Sequence, residues 1–309
     1  MRRYRTAIFV VAAVVILGGG GLIALGMHDG SSGGGGGLLP SSLSLGDDGP
    51  SPTASPSPTG PSPEELARIE RAKREKALDS ALKKVAADAP DFSVAVLDRK
   101  TGETYAYRGT TKYDTASIVK VQVLACMLLQ AQDDDRDPTS GEMALAKPMI
   151  RLSDNNATTS LFSHLGGRPA VQKCDKRLGL TQTTVSSSWG NTRTTVNDQV
   201  KLLSQLVDKD SPLDAASRKT AFTLMSTVNE AQDWGVPSVA EAGETTTVKN
   251  GWDTRKADGG LWVINTIGRV TSDDTDVSIA VLSHDNQSMP AGQRLVEKVA
   301  GLTRKYLKY

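Results

Sequence analysis

Histidine and cysteine are scarce, three and two among 309 residues, and none of them has the spacing of a metal site, so no metal and no cofactor is expected. An excess of one charge sign is also lacking. With 36 basic and 35 acidic side chains the net charge is +1, which leaves no basic footprint for nucleic acid. His164 follows Leu161 and Phe162 and reads as a helix end. His284-Asp285 falls at a strand end, and a Ser-His-Asp triad built on it would leave two well-placed lysines, Lys120 and Lys249, without purpose. Another absence bears on chemistry: from Lys176 to Asn197 there is no acidic residue.

The composition that remains, 38% hydrophobic and 23% charged, is ordinary enough to bury a large core. Residues Ala7 to Met27 carry no charge and follow Arg2, Arg3 and Arg5. Length and flanking charge fit a single-pass anchor with the arginines inside and the remainder extracytoplasmic. A cleaved signal peptide is the alternative, and would leave a secreted protein. No cysteine lies near this segment, which argues against a lipid-modified N-terminus. His28 to Ser62 is rich in Gly, Ser and Pro and cannot fold alone; as a tether it spans on the order of 30 Å. The expected organisation is therefore an anchor over 1–27, a linker over 28–62 and a folded domain over 63–309, with the domain monomeric. Cys126 and Cys174 lie in the exported part, where a disulfide is permitted. Both fall on helical patterns, and they read as two small buried apolar side chains.

Ser62-Pro63-Glu64-Glu65 opens a helix with a capping box, and Pro90 closes it. Phe92 to Leu97 and Glu103 to Arg108 form a hairpin around Lys100-Thr101-Gly102. Helical patterns then follow one another as far as Val228. Thr246–Val248, Leu261–Val270 and Val277–Leu282 are strand candidates, and Ala291–Leu307 is a final helix. The order predicts an α+β fold: a five-stranded antiparallel sheet flanked by terminal helices, with an all-helical subdomain inserted after the second strand.

Inside that insert Ser117 and Lys120 stand three apart, on one face of a helix, so the amine reaches the hydroxyl. The following residues, Val121 to Leu129, are apolar nearly all round, as in a helix at the centre of a domain. Desolvation there lowers a lysine pKa toward neutrality and makes it a base for the serine. Ser153-Asp154-Asn155 falls between two helical segments. Lys249-Asn250-Gly251 ends a strand candidate, where the glycine would let a substrate backbone approach.

Ser-x-x-Lys, Ser-Asp-Asn and Lys-x-Gly in this order resemble the motif set of class A β-lactamases and penicillin-binding proteins, over about Ala77 to Tyr309. Thr194-Thr195 and Gly251-Trp252 are similar too. The resemblance implies that Ser117 is acylated, Lys120 takes its proton, Ser153 passes a proton to the leaving amine and Asn155 holds the substrate amide. Lys249 would be a fixed positive charge for the substrate carboxylate, with Asn250, Gly251 and Trp252 binding substrate. The N–H groups of Ser117 and Trp252 would form the oxyanion hole, worth about 3 kcal/mol per donor. Two features depart from the family. The loop Thr181–Arg193 lacks the glutamate that activates the deacylating water, slowing that step by roughly a hundredfold to ten-thousandfold. Asn250 replaces a hydroxyl, which puts carboxylate affinity in question. The implied substrate is a small-molecule β-lactam or a peptidoglycan stem peptide of D-alanyl-D-alanine type, hydrolysed slowly or in a peptidase-like manner. The competing reading is a membrane-tethered penicillin- or peptidoglycan-binding module or sensor that does not turn over.

Overall fold

The computed structural model describes residues 60–254 and 256–309. The anchor expected over 1–27 and the linker to residue 59 lie outside the described residues. Among the described residues no helix is long and apolar enough to cross a membrane.

Ser62 Oγ accepts the Glu65 N–H at 3.1 Å and starts α1 (Pro63–Asp88). Only Leu78, Leu82 and Val85 of α1 are buried; its first half is exposed and carries ion pairs such as Arg71–Glu75 at 2.8 Å. Next come β1 (Phe92–Asp98), β2 (Thr104–Tyr107) and the two-residue β3 (Tyr113–Asp114). The insert follows as α2 (Val119–Asp133), α3 (Ser140–Arg151), α4 (Asn155–His164), α5 (Gly167–Arg177), β4 (Arg193–Thr194), α6 (Val196–Gln205) and α7 (Ala215–Met225). The chain then returns through β5 (Thr245–Thr254), β6 (Trp262–Thr271), β7 (Asp276–Asn286) and α8 (Met289–Leu307).

The sheet has five strands, antiparallel throughout, as the order of patterns predicts; their spatial order is β2-β1-β7-β6-β5. Alternation along the central strands divides the core between its faces. Phe92, Val94, Val96, Ile279 and Val281 pack with Leu78, Leu82 and Val299 of the terminal helices. Ala95, Ala280 and Leu282 meet the helical lobe. Within that lobe α2 has twelve of fifteen side chains buried, so truncating Leu124 or Leu128 to alanine costs about 2–5 kcal/mol.

The structure corrects two expectations. Cys126 on α2 and Cys174 on α5 are joined by a disulfide, with their Cα atoms 5.8 Å apart. Helical pattern alone could not show that α5 lies along α2 with these two positions facing. The Lys249-Asn250-Gly251 segment does not end its strand: β5 continues to Thr254, pairing Asn250 with Thr266, Gly251 with Asn265 and Trp252 with Ile264. Gly251 is absent from the positive-φ residues, so the Asn-Gly pair makes no hairpin turn of the kind that needs positive φ.

Candidate active site

Ser117 sits in a 3-10 turn, Ala116–Ile118, just ahead of α2. The turn is held from the sheet: Asn265 Nδ2 on β6 donates to the carbonyls of Asp114 and Thr115 at 2.8 and 3.0 Å. From β5, Gly251 presses directly on it. A Cβ there would stand 2.7 Å from Thr115 O and 2.9 Å from Ser117 N. The glycine therefore lets the turn that carries Ser117 approach, where the sequence suggested room for a substrate. Ala116 has φ 45° and Ser153 φ 58°, conformations that cost a non-glycine residue about 1–3 kcal/mol each. Ala116 directly precedes Ser117, and Ser153 itself contacts Lys120.

Lys120, in the first turn of α2, is fully buried. Its Nζ lies 2.6 Å from Ser117 Oγ, 2.9 Å from Ser153 O, 3.1 Å from Ser153 Oγ and 2.8 Å from Asn155 Oδ1. The Ser153 carbonyl and Asn155 Oδ1 can only accept. A neutral amine fills both with its two N–H groups and keeps its lone pair for the Ser117 proton. Burial lowers the Lys120 pKa to about 8, opposed by the charge of Asp154.

Ser153 lies between α3 and α4, where Asp154 caps α4 by accepting the Ala157 N–H at 2.7 Å. Lys249, also buried, donates to Ser153 Oγ at 3.0 Å and to Asn250 O at 2.8 Å. Burial, then the nearby charge of Lys120, push the Lys249 pKa well down. The two amines bracket one hydroxyl and resist carrying a proton each. Each is near an indole: Lys120 Nζ is 4.9 Å from the Trp189 ring centroid and Lys249 Nζ 6.0 Å from that of Trp252.

Ser117 opens onto a cleft of about 700 Å³ lined by Asn155, Thr159, Trp189, Trp252 and Asp253, among others. Asp253 is the single carboxylate among the described lining residues. The predicted residues Ser117, Lys120, Ser153, Asn155 and Lys249 thus converge on one hydrogen-bonded cluster, with Trp252 on the wall. Asn250 is placed elsewhere. It is buried, does not line the cleft, and both its amide N–H groups go to the carbonyls of Gln232 and Trp234, at 2.8 and 2.9 Å. No side-chain donor of Asn250 is left for a substrate carboxylate.

Residues 75–141 and 143–307 match the Beta-lactamase enzyme family. The chain belongs to this family. The β-lactamase fold is equally plain in solved structures. The chromosome-encoded β-lactamase of Vibrio parahaemolyticus superposes with TM-score 0.65 at 20% identity, over 75% of this chain and 99% of that one. A reconstructed last common ancestor of Gram-negative class A β-lactamases gives 0.64 at 21%, over 74% and 98%. A protein named as a lipoprotein, LppW, in Mycobacterium tuberculosis and Mycobacterium bovis is 30% identical over 175 residues. The chain spans about half the length of these curated relatives, 55%.

Set against the family pattern, Trp189, Asp253, Thr159 and Arg168 are among the lining residues that the motifs did not single out. Trp189 was legible only as one member of an acid-free loop. His164 ends α4, with Nε2 3.4 Å from Glu142, and His284 pairs with Asp285 at 2.6 Å; neither lines the cleft. Among the described residues no cluster of three or more His, Cys, Asp or Glu could hold a metal ion.

Proposed function

We propose that this chain is a membrane-tethered, extracytoplasmic serine hydrolase. Ser117 is acylated by β-lactams or D-alanyl-type wall peptides, and the acyl-enzyme deacylates slowly. The observation that carries this reading is the 2.6 Å contact between a buried amine and the Ser117 hydroxyl. Lys120 accepts the Ser117 proton as Oγ attacks the carbonyl. Ser153, 3.0 Å from Lys249, hands a proton to the leaving nitrogen. Edge strand β5, pressed on the nucleophile's turn through Gly251, offers the Trp252 N–H beside that of Ser117 for the oxyanion. Lys249 serves as the electrostatic neighbour of the pair.

Slow release follows from the lining. The loop 181–193 carries no acid, and Asp253 stands on the opposite, strand side. Extracytoplasmic placement is supported by the Cys126–Cys174 disulfide, since such bonds persist in oxidising compartments. The curated relatives are named as lipoproteins. Residues 1–125 of this chain contain no cysteine, so its own tether is the apolar segment 7–27.

The test is to time labelling of the full chain by a fluorescent penicillin, and release of the label, against Ser117→Ala. Labelling abolished in the variant, with release over many minutes, is expected. Labelling equal to that of Ser117→Ala removes the reading, and release within seconds removes its slow step. The second reading, a wall-peptide sensor that stays acylated, is favoured by the acid-free loop, and no measurable release would select it.

A further inference from the structure

The loop 181–193 is defined here by more than its missing acid. Trp189 Nε1–H donates to Thr159 Oγ1 on α4 at 3.1 Å. Behind the indole the loop is tied down by Thr115 N–H donating to Thr192 O at 2.8 Å and by the β3–β4 pairing of Tyr113 with Thr194. The ring is held by its own hydrogen bond to α4 and by the anchored backbone of its loop. Its centroid lies 4.9 Å from Lys120 Nζ. Trp189 and Ser117 line the cleft, whereas Lys120 does not and is fully buried. The indole therefore stands between the cleft water and the amine that serves Ser117.

We infer that Trp189 is a gating residue: it keeps water from Lys120 and from the acylated Ser117, and so sets the lifetime of the acyl-enzyme. This rests on the acylation of Ser117 proposed above. Hydrolysis requires a water oxygen to add to the ester carbonyl, the carbonyl–Oγ bond to break, and the water proton to pass through Lys120 to Ser117 Oγ. With no carboxylate on the loop, the one base within reach of Ser117 Oγ is Lys120. A water positioned to use it must occupy the space that the indole fills. A bulkier acceptor entering along the open cleft from the Trp252 side is not obstructed in this way. The gate thus selects against water in particular, which is a specificity role for Trp189 beyond the missing base.

The experiment compares the full-length protein with Trp189→Phe and Trp189→Ala, each checked by thermal melting. The first readout needs no substrate. Reductive methylation with formaldehyde and borohydride is followed by peptide mass spectrometry, with Lys120 normalised to the exposed Lys298. In Trp189→Ala the Lys120 rate should rise at least tenfold, while Trp189→Phe stays within about threefold of wild type. The second readout is release of fluorescent penicillin, expected at least tenfold faster in Trp189→Ala and near wild type in Trp189→Phe. Unchanged protection of Lys120 in Trp189→Ala overturns the gate, whatever the labelling. Lost protection with unchanged release confines Trp189 to covering the amine and overturns its control of lifetime. Lost protection in a protein that penicillin does not label supports the cover over Lys120 and overturns instead the acylation reading on which the lifetime depends.

Discussion

Asp175 is fully buried on α5, directly after the disulfide cysteine Cys174. Its two carboxyl oxygens lie 2.7 and 2.6 Å from Gln122 Nε2 on α2, and Gln122 Oε1 has no partner. A carboxylic acid satisfies this pair better than a carboxylate, because its O–H can donate to the amide oxygen while its carbonyl accepts the N–H. Burial raises the Asp175 pKa from 3.8 to about 8, against the Gln122 hydrogen bond and with help from the charge of Asp198. The folded state therefore holds this proton where the unfolded chain has lost it. The stability it contributes is full below about pH 4 and is lost progressively as pH rises to about 8, at up to about 1.4 kcal/mol per pH unit. The upper bound over the whole window is about 6 kcal/mol, and local relaxation reduces it. Asp175→Asn keeps the shape, forms the amide–amide pair and does not titrate. Urea unfolding of wild type and variant at pH 5, 6.5 and 8 should show wild type losing at least about 2 kcal/mol relative to the variant across that range. The lowered pKa of Glu142, about 2, acts below pH 4.5 and is common to both proteins. Parallel stability curves for the two would refute the buried-acid argument.

Penicillin labelling of the wild type should rise with pH through a midpoint near about 8, as Lys120 loses its proton, and Lys120→Ala should lower the rate at least a hundredfold; a flat profile between pH 6 and 9 contradicts the base assignment. Replacing both Cys126 and Cys174, which are 48 residues apart in sequence, with serine should cost about 4 kcal/mol in urea unfolding if loop entropy governs. Lys249→Met removes a buried amine with no carboxylate within salt-bridge distance among the described residues, so the melting temperature should rise while labelling falls at least tenfold. A fall in both would mean that Lys249 is structural first.

Much of this fold was legible because its signals are local. The Ser62 cap, Pro90, the period-two strands and the apolar girdle of α2 each state an element without reference to another. Three features were not. Asn-Gly speaks for a turn in isolation, and only the ladder to β6 and the pressure on Thr115 O keep Gly251 in the strand. The disulfide depends on the contact between α2 and α5, which no pattern within either helix records. Asn250 looked like a substrate ligand by its place in a motif, yet its donors are consumed by Gln232 and Trp234, carbonyls brought near by the chain between α7 and β5. The motif residues themselves were legible, since Ser-x-x-Lys is a helical spacing. Their convergence across α2, the α3–α4 junction and β5 is tertiary.

The arrangement supplies what the proposed base needs without a carboxylate. Neither Lys120 nor Lys249 forms an ion pair with an acid among the described residues, and each is buried, so the nearest means of lowering the energy of the pair is to give up a proton. The shared Ser153 hydroxyl lets that proton vacancy sit on either amine. Lys120 can be neutral while Ser117 attacks, and Lys249 can supply a proton through Ser153 as the leaving nitrogen departs. The proposed acylation would thereby be served at both ends by groups already in contact. Deacylation needs water brought against the same amine, and the space beside Lys120 is occupied by Trp189. On the proposed reading, a site so arranged would form its acyl-enzyme readily and part with it reluctantly, for reasons that lie in the packing around Lys120 as much as in the loop that lacks an acid.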